Sequence, residues 1–436
     1  MANTYLTRTP SSETNRKTFT WSGWVKRSSL GQNYFFSQGG ATGNNFAILF
    51  NGSDQFYFWD YHGSWDFEFK TNAKYRDTNG WYHFVVAIDT TQATQSDRVK
   101  AYINGEQITS WETANYPNQN DDTRVNDAVE VRLGRYVASE TSYFNGLISH
   151  VHFIDGTAYD ASAFGETDST TGEWKIKTSP SVTYGTNGFF ILKDGNSVTD
   201  QSGNSNNYTV GGGTLTNTED NPSNVFATFN ALYNSNQNLS NGNLSATNTT
   251  STWNSRATTL AGSSGKYYAE YKVASPGTSY HMLGVGTVED IDPSDHAGTG
   301  TGTVAVYSQN GYKYVEGTDS AYANTYGDGD IIGIALDLDN NYVYFSKNGT
   351  WQNSGDPTSG ATGTGGISLP TTGTYAFTES VRSTSSSNSK VDANFGNGYF
   401  GSTPVASAGT NASGIGIFEY DVPTGYTALS TKGLNL

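Results

Sequence analysis

The sequence predicts an all-β protein made of two tandem antiparallel β-sandwiches, and three observations carry the prediction. The first is the stretch from Asp330 to Trp351, DIIGIALDLDNNYVYFSKNGTW. In it Ile332, Ile334, Leu336 and Leu338 alternate at period two with Ile331, Gly333, Ala335 and Asp337. A turn at Asp339-Asn340-Asn341 leads to a second alternating run, Tyr342 to Lys347, closed by Asn348-Gly349. Asn-Gly supplies the positive φ angles of a two-residue hairpin turn. The second observation is that the phrase occurs again upstream. WYHFVVAID from Trp81, a polar loop from Thr90 to Asp97, RVKAYI from Arg98 and Asn104-Gly105 repeat it. Two copies, one in each half, fit two domains and not a short-period solenoid. The third is composition: 29 Tyr, 50 Gly and 14% aromatic residues favour strands and turns, and no long stretch has helical spacing.

In chain order, residues 1 to 17 are polar and strands begin at Phe19. Phe19, Trp21, Gly23 and Val25 share one face and Trp24 takes the other. Strands follow at Asn33 to Ser37 and Phe46 to Phe50. The densest aromatic stretch is QFYFWDYHGSWDFEF, from Gln55 to Phe69, and His62-Gly63 turns it into a hairpin. Phe56 and Phe58 lie opposite Tyr57, Trp59 and Tyr61; on the return strand Trp65, Phe67 and Phe69 lie opposite Asp66 and Glu68. The meander from Trp81, a strand at Val129 to Leu133 and a buried strand within Phe144 to Asp155 come next. An irregular region, DASAFGETDSTTGEWKIK, leads to Phe189 to Leu192 and Tyr208 to Val210, the last strands of the first domain. The low-complexity stretch Gly211 to Pro222 places the boundary near residue 221, giving domains at 1–220 and 221–436. In the second half an Asn/Ser/Thr-rich segment, Asn234 to Thr252, reads as flexible. Strands follow at Lys266 to Val273, His281 to Gly286, Val304 to Ser308 and Tyr312 to Val315. After the central meander come Tyr375 to Thr378 and a weakly alternating tail that returns to close the sheet.

The chain of 436 residues is long enough for two cores. Its net charge of −16 argues against nucleic acid, whose affinity comes mainly from phosphate neutralisation, and disfavours anionic membrane. It has no Cys, hence no disulfide framework or thiol chemistry. MANTYLTRTP lacks the apolar core of a signal peptide, and no apolar run reaches about 18 residues. The expectation is a soluble protein made in a host cytoplasm, without membrane insertion.

Through FTWSGWVKRSSLG, WYHFVVAID, VKAYINGEQI and HVHFIDGTAYDASAFGE the first half resembles the laminin-G/concanavalin-A-like jelly roll. Through GKYYAEYKV, LGVG, GDIIGIALDLDNNYVYFSKNGTW and FEYDVPTGYTALS the second resembles a SPRY domain. The tandem, with its linking text YGTNGFFILKDGNSVTDQSGNSNNYTV, is similar to structural proteins of marine bacteriophages described as tail-fibre, decoration or adhesion components. The resemblance implies two sandwiches and a virion location. It carries over no catalytic residue.

Several constellations bear on function. Retaining glycoside hydrolysis needs two carboxylates about 5–5.5 Å apart, and Asp66-Phe67-Glu68 is the one pair beside aromatics; the further acids of concanavalin-like glucanases are missing. Trp59, Tyr61, Asp66 and Glu68 also suit a sugar platform, in which rings stack on pyranose faces and carboxylates accept hydroxyls. The competing reading buries Trp59 and Tyr61 in the sandwich. His150 and His152, joined by His83, suggest a metal pair, against structural histidines in an apolar strand. Asp337, Asp339 and Asn341 begin like a calcium loop, but Tyr342 stands where Gly is needed. Asp328 and Asp330 remain candidates for a sandwich-edge Ca²⁺, against plain turn chemistry; no other cofactor is expected.

The reading that results is a non-enzymatic virion protein exposed on the particle. It would bind host-surface polysaccharide or another receptor, dock neighbouring virion proteins, or both. The alternatives are a purely structural stabiliser of capsid or tail and a polysaccharide-degrading enzyme. Without a coiled coil, a homo-oligomer would have to form through sandwich faces.

Overall fold

A computed structural model describes residues 3–40, 43–193, 198–233, 235–275, 280–384 and 388–436. Asn234 and residues 194–197 of the linking text lie outside the described residues. The architecture is all-β, in tandem antiparallel sandwiches. The chain divides into two units, Met1–Asn217 and Thr218–Leu436. Among the described residues no helix is long and apolar enough to cross a membrane.

In the first unit an eight-stranded sheet runs in the order Trp111–Asn115, Trp65–Lys74, Gln55–His62, Asn44–Phe50, Asn33–Gly39, Val131–Leu133, Tyr5–Arg8 and Thr209–Gly212. A six-stranded sheet runs Phe189–Ile191, Gly146–Asp155, Thr18–Arg27, Tyr82–Asp89, Val99–Ile103 and Glu106–Gln107. Alternation turns Phe36, Phe46, Phe56, Phe58, Phe67 and Phe69 of the first sheet toward Phe19, Trp21, Phe84 and Phe153 of the second. Phe56 and Phe84 stack across the interface at 4.1 Å between centroids. Each such ring contributes roughly 1.5–3 kcal/mol by burial. Arg27 brings a charge into this core. The guanidinium of Arg27 is wholly buried, lies 4.4 Å over the Phe50 ring and donates to Asp54 Oδ1 at 3.0 Å.

The second unit pairs a nine-stranded sheet, centred on Lys266–Val273, Ile331–Asp337 and Tyr342–Lys347, with a six-stranded one. The six-stranded order is Asn254–Ala257, Tyr375–Arg382, Tyr280–Thr287, Thr303–Tyr307, Tyr312–Val315 and Thr318–Ala321. Ile332, Ile334, Leu336 and Leu338 face the core as period two requires. The opposite face is also buried, because the C-terminal segment lays Phe418, Val422 and Tyr426 over Tyr268, Ala335 and Tyr344. Glu270 fastens that segment by accepting the backbone N–H groups of Glu419 and Tyr420, each at 2.8 Å.

The repeated phrase builds the same turn twice. Asn104 and Asn348 have φ of 45° and 49°, Gly105 and Gly349 of 87° and 79°. Each Asn side chain caps the partner strand: Asn104 Oδ1 accepts from His83 N, and Asn348 Oδ1 from Ile331 N, both at 2.9 Å. A ring covers each glycine. A Cβ on Gly105 would stand 2.4 Å from Trp174, and one on Gly349 2.6 Å from Tyr420. Gly is therefore demanded by backbone conformation and by contact alike.

Three expectations need correction. The polar N-terminus contributes a strand, Tyr5–Arg8, paired on both sides. The Asn/Ser/Thr-rich segment forms Asn238–Ser240 and Ser245–Asn248, held by side chains such as Asn248, whose Nδ2 donates to the Val381 carbonyl at 2.7 Å. The irregular region closes a small hairpin, Gly165–Thr167 with Trp174–Ile176.

Candidate functional site

The aromatic hairpin decides which residues the first sandwich offers outward. Strand Gln55–His62 sends Phe56 and Phe58 into the core and Tyr57, Trp59 and Tyr61 to the other face. Tyr34 and Tyr136 join them there, over Ala47 and Leu49. Tyr34 stacks on Tyr136 at 4.6 Å, and both meet the Trp59 ring edge-on at about 6 Å. The polar atoms of this cluster are engaged within it. Asn45 Oδ1 accepts from Trp59 Nε1 at 3.4 Å and from Tyr136 Oη at 2.9 Å, and Gln32 donates to Tyr34 Oη at 3.1 Å. Burial pushes the Tyr34 phenol up to about 12.

Trp59 is only 6% exposed, which corrects its expected role as an open platform: Tyr34, Tyr57, Tyr136 and Trp65 pack around the indole. The exposed ring is Trp65, at 49%. Strict alternation places Trp65 with Phe67, but a bulge intervenes. Asp60 pairs with Phe67 while Tyr61 pairs with Trp65, so Asp66 is the extra residue. Trp65 thereby joins the outer face, 4.9 Å from Tyr61 and 6.1 Å from Trp59. Tyr61 is half-buried and its hydroxyl donates to the Gly63 carbonyl at 3.0 Å.

The two predicted carboxylates have different surroundings. Glu68 accepts the Tyr57 hydroxyl at 2.6 Å and Asn115 Nδ2 at 3.4 Å, so it positions Tyr57. Burial pushes Asp66 up, while His62 and Arg124 pull it down. The acid that feels Asp66 is Asp60, which no sequence motif singles out. Asp60 continues the inward series of Phe56 and Phe58, is fully buried, and accepts the Arg124 backbone N–H on both oxygens at 3.1 Å. Burial pushes it up to about 8, with Asp66 adding to the rise. A carboxyl enclosed in this way is out of a substrate's reach.

The candidate metal positions are engaged otherwise. Asp330 accepts from Gly327 N at 2.9 Å, Asn348 Nδ2 at 2.8 Å and Lys347 Nζ at 3.0 Å. Burial pushes its pKa up, but these donors hold it below the usual range. Asp330 thus anchors the turn that Asn348 caps, and Asp328 sits beside it in the same turn. His83, His150 and His152 are all buried. Trp174 Nε1 donates to His83 Nδ1 at 3.0 Å, leaving Nε2 to carry the proton toward Ser22 Oγ at 2.9 Å. Burial, reinforced by His150, holds His83 down to about 3. His152 lies on Phe190 at 3.9 Å and meets Tyr184 Oη at 2.9 Å. Among the described residues no three His, Asp or Glu groups are placed to hold a metal.

Residues 2–162 match the laminin-G-type profile of the Concanavalin A-like lectin/glucanases superfamily, and residues 266–369 match the SPRY domain. No curated protein matches the chain. Among solved structures, the SPRY domain of human HERC1 is 16% identical over 38% of this chain and 96% of that one, with a TM-score of 0.31. A further human SPRY domain is 14% identical over 34% and 90%, with a TM-score of 0.27. The TRIM65 PSpry domain is 12% identical over 38% and 91%, with a TM-score of 0.29.

Proposed function

We propose that the chain is a non-enzymatic phage virion protein, a tail-fibre, adhesion or decoration component exposed on the particle, and that it holds a host-surface polysaccharide. The pairing of a concanavalin-like with a SPRY-type module fits a binding or adhesion role. The observation that carries the reading is Trp65. A half-exposed indole, braced edge-on by Tyr61 and Trp59, offers a rigid apolar face to a pyranose while Asp66 at the adjoining bulge accepts hydroxyls. One such site binds weakly, and repeated copies on a particle supply avidity. Neighbouring virion proteins are the other partners of this reading, met after the chain is made in the host cytoplasm.

The purified protein is expected to mark a defined set of polysaccharides on a glycan array and to adsorb to host cells. Trp65→Ala should weaken both by about tenfold, roughly 1.4 kcal/mol, without altering the melting temperature. Absence of adsorption by the parent protein, or unchanged adsorption by the variant, would defeat the proposal.

A further inference from the structure

The six-stranded sheet of the second unit also carries aromatic rings on its outer face, and they are arranged differently. Leu283, Val306, Phe377 and Val381 point into the core, so the alternate residues Tyr280, Met282, Ala305, Tyr307 and Ser380 face away. The loop after Ile291 lies across them: Ala297 N donates to Ser380 Oγ at 2.7 Å, and Ser255 N to the Pro293 carbonyl at 3.1 Å. That loop sets His296 against Trp253 at 5.3 Å and against Tyr314 at 5.6 Å. Tyr280 and Tyr307 meet Trp253 at 6.4 and 6.1 Å, inclined to it by 59° and 66°. The rings thus form inclined walls about the indole, and each of them is half-buried.

Two features point to a ligand. In the first unit the hydroxyls of Tyr57, Tyr61 and Tyr136 and the Trp59 N–H all find protein partners. Here the Tyr280 and Tyr307 hydroxyls and the Trp253 N–H have none among the described residues. Rings held firmly by packing, with their polar groups uncommitted, suit a ligand that has both C–H faces and hydroxyls. The second feature is charge. Arg382 lies opposite Tyr280 in the strand register, with its guanidinium 5.3 Å over that ring. Its Nε donates to the Ser251 carbonyl at 2.9 Å, and its terminal nitrogens have no partner among the described residues. Against the chain's net charge of −16, an exposed guanidinium beside open rings provides a local position for one carboxylate, taken through paired hydrogen bonds.

We propose that Trp253, Tyr280, Tyr307 and Arg382 form a second binding site, separate from the Trp65 face, for a uronate-bearing polysaccharide. The pyranose ring lies against Trp253 and Tyr307, the tyrosine hydroxyls bond its hydroxyls, and Arg382 takes the carboxylate. Proteins of the full chain length are titrated with short oligogalacturonate and with its methyl-esterified, uncharged counterpart. Expected are saturable binding of the acid, at least tenfold weaker binding of the ester, and a tenfold loss for Arg382→Gln with the acid alone. Tyr307→Phe, which removes only a hydroxyl, should weaken both ligands several-fold, and Trp253→Ala should abolish binding. In a Trp65→Ala background the binding that remains should still weaken with Arg382→Gln and Tyr307→Phe, so failure here and failure of the N-terminal site are read separately. No binding of oligogalacturonate, or binding indifferent to Arg382→Gln and Tyr307→Phe, would overturn the proposal.

Discussion

Asp54→Ala is expected to destabilise the N-terminal unit by about 3–5 kcal/mol, the usual consequence of leaving a buried charge without its partner. Arg27 is fully buried. Its Nη2 donates to Asp54 Oδ1 and to the Gly31 carbonyl, its Nε to the Ser29 carbonyl, and its face lies on Phe50. Asp54 also accepts from Gly31 N at 2.7 Å and from Arg76 Nε at 3.0 Å. Removing the carboxylate strands the guanidinium in an apolar layer and frees the Gly31 turn at the same time. The loss is a large fraction of a typical domain stability of about 5–15 kcal/mol. Urea unfolding should show the transition of the N-terminal unit moved to lower denaturant and that of the C-terminal unit unmoved. A change below about 1 kcal/mol, the scale of a surface ion pair, would mean that Arg27 reaches water.

The second large effect is on pH dependence. Glu379 lies inside the C-terminal sandwich, paired in register with Arg256. The Arg256 N–H groups already serve the carbonyls of Asn230, Tyr233, Ser235 and Gln237. Burial therefore prevails over Arg256 and Gln237, and the Glu379 carboxyl is pushed up to about 8. Glu270 is pushed up to about 7 by burial, against its backbone donors. A carboxyl whose folded pKa exceeds its unfolded value binds its proton more tightly in the native state. Its stabilising effect is complete below about pH 4 and is lost as pH rises through the folded value, at up to ~1.4 kcal/mol per pH unit for each group. The transition of the second unit should fall steadily between pH 5 and 9. Glu379→Gln should flatten that slope and melt higher than the parent at pH 9, with little difference at pH 5. A variant less stable than the parent at pH 9 would show instead that an ionised Glu379 supports the fold through Arg256.

How far the sequence discloses this molecule depends on the kind of signal. The meander of Ile332 to Lys347 is legible because one apolar face and an Asn-Gly turn specify register together. Strand Ser245–Asn248 is not, because Ser245 and Asn248 are buried polar residues that substitute side-chain hydrogen bonds for apolar alternation. At the candidate site, alternation rightly separates Phe56 and Phe58 from Tyr57, Trp59 and Tyr61. It misplaces Trp65, since a bulge adds one residue and reverses the phase between Trp65 and Phe67. It also conceals that Trp59, although outside the sandwich core, is covered by Tyr34 and Tyr136, which come from remote strands and loops. The Trp253 site leaves no local signal at all, since its rings come from separate stretches of chain.

Recognition without transformation at the Trp65 face is the central claim, and one paired measurement tests it most directly. The polysaccharide best retained on the array is titrated calorimetrically against the parent protein and Trp65→Ala, and the same samples are assayed for new reducing ends. The expected result is saturable heat in the parent, about tenfold weaker binding in the variant (~1.4 kcal/mol), and a constant number of reducing ends in both. Reducing ends that accumulate with the parent and cease in Asp66→Asn or Glu68→Gln would contradict it and make the chain a glycoside hydrolase.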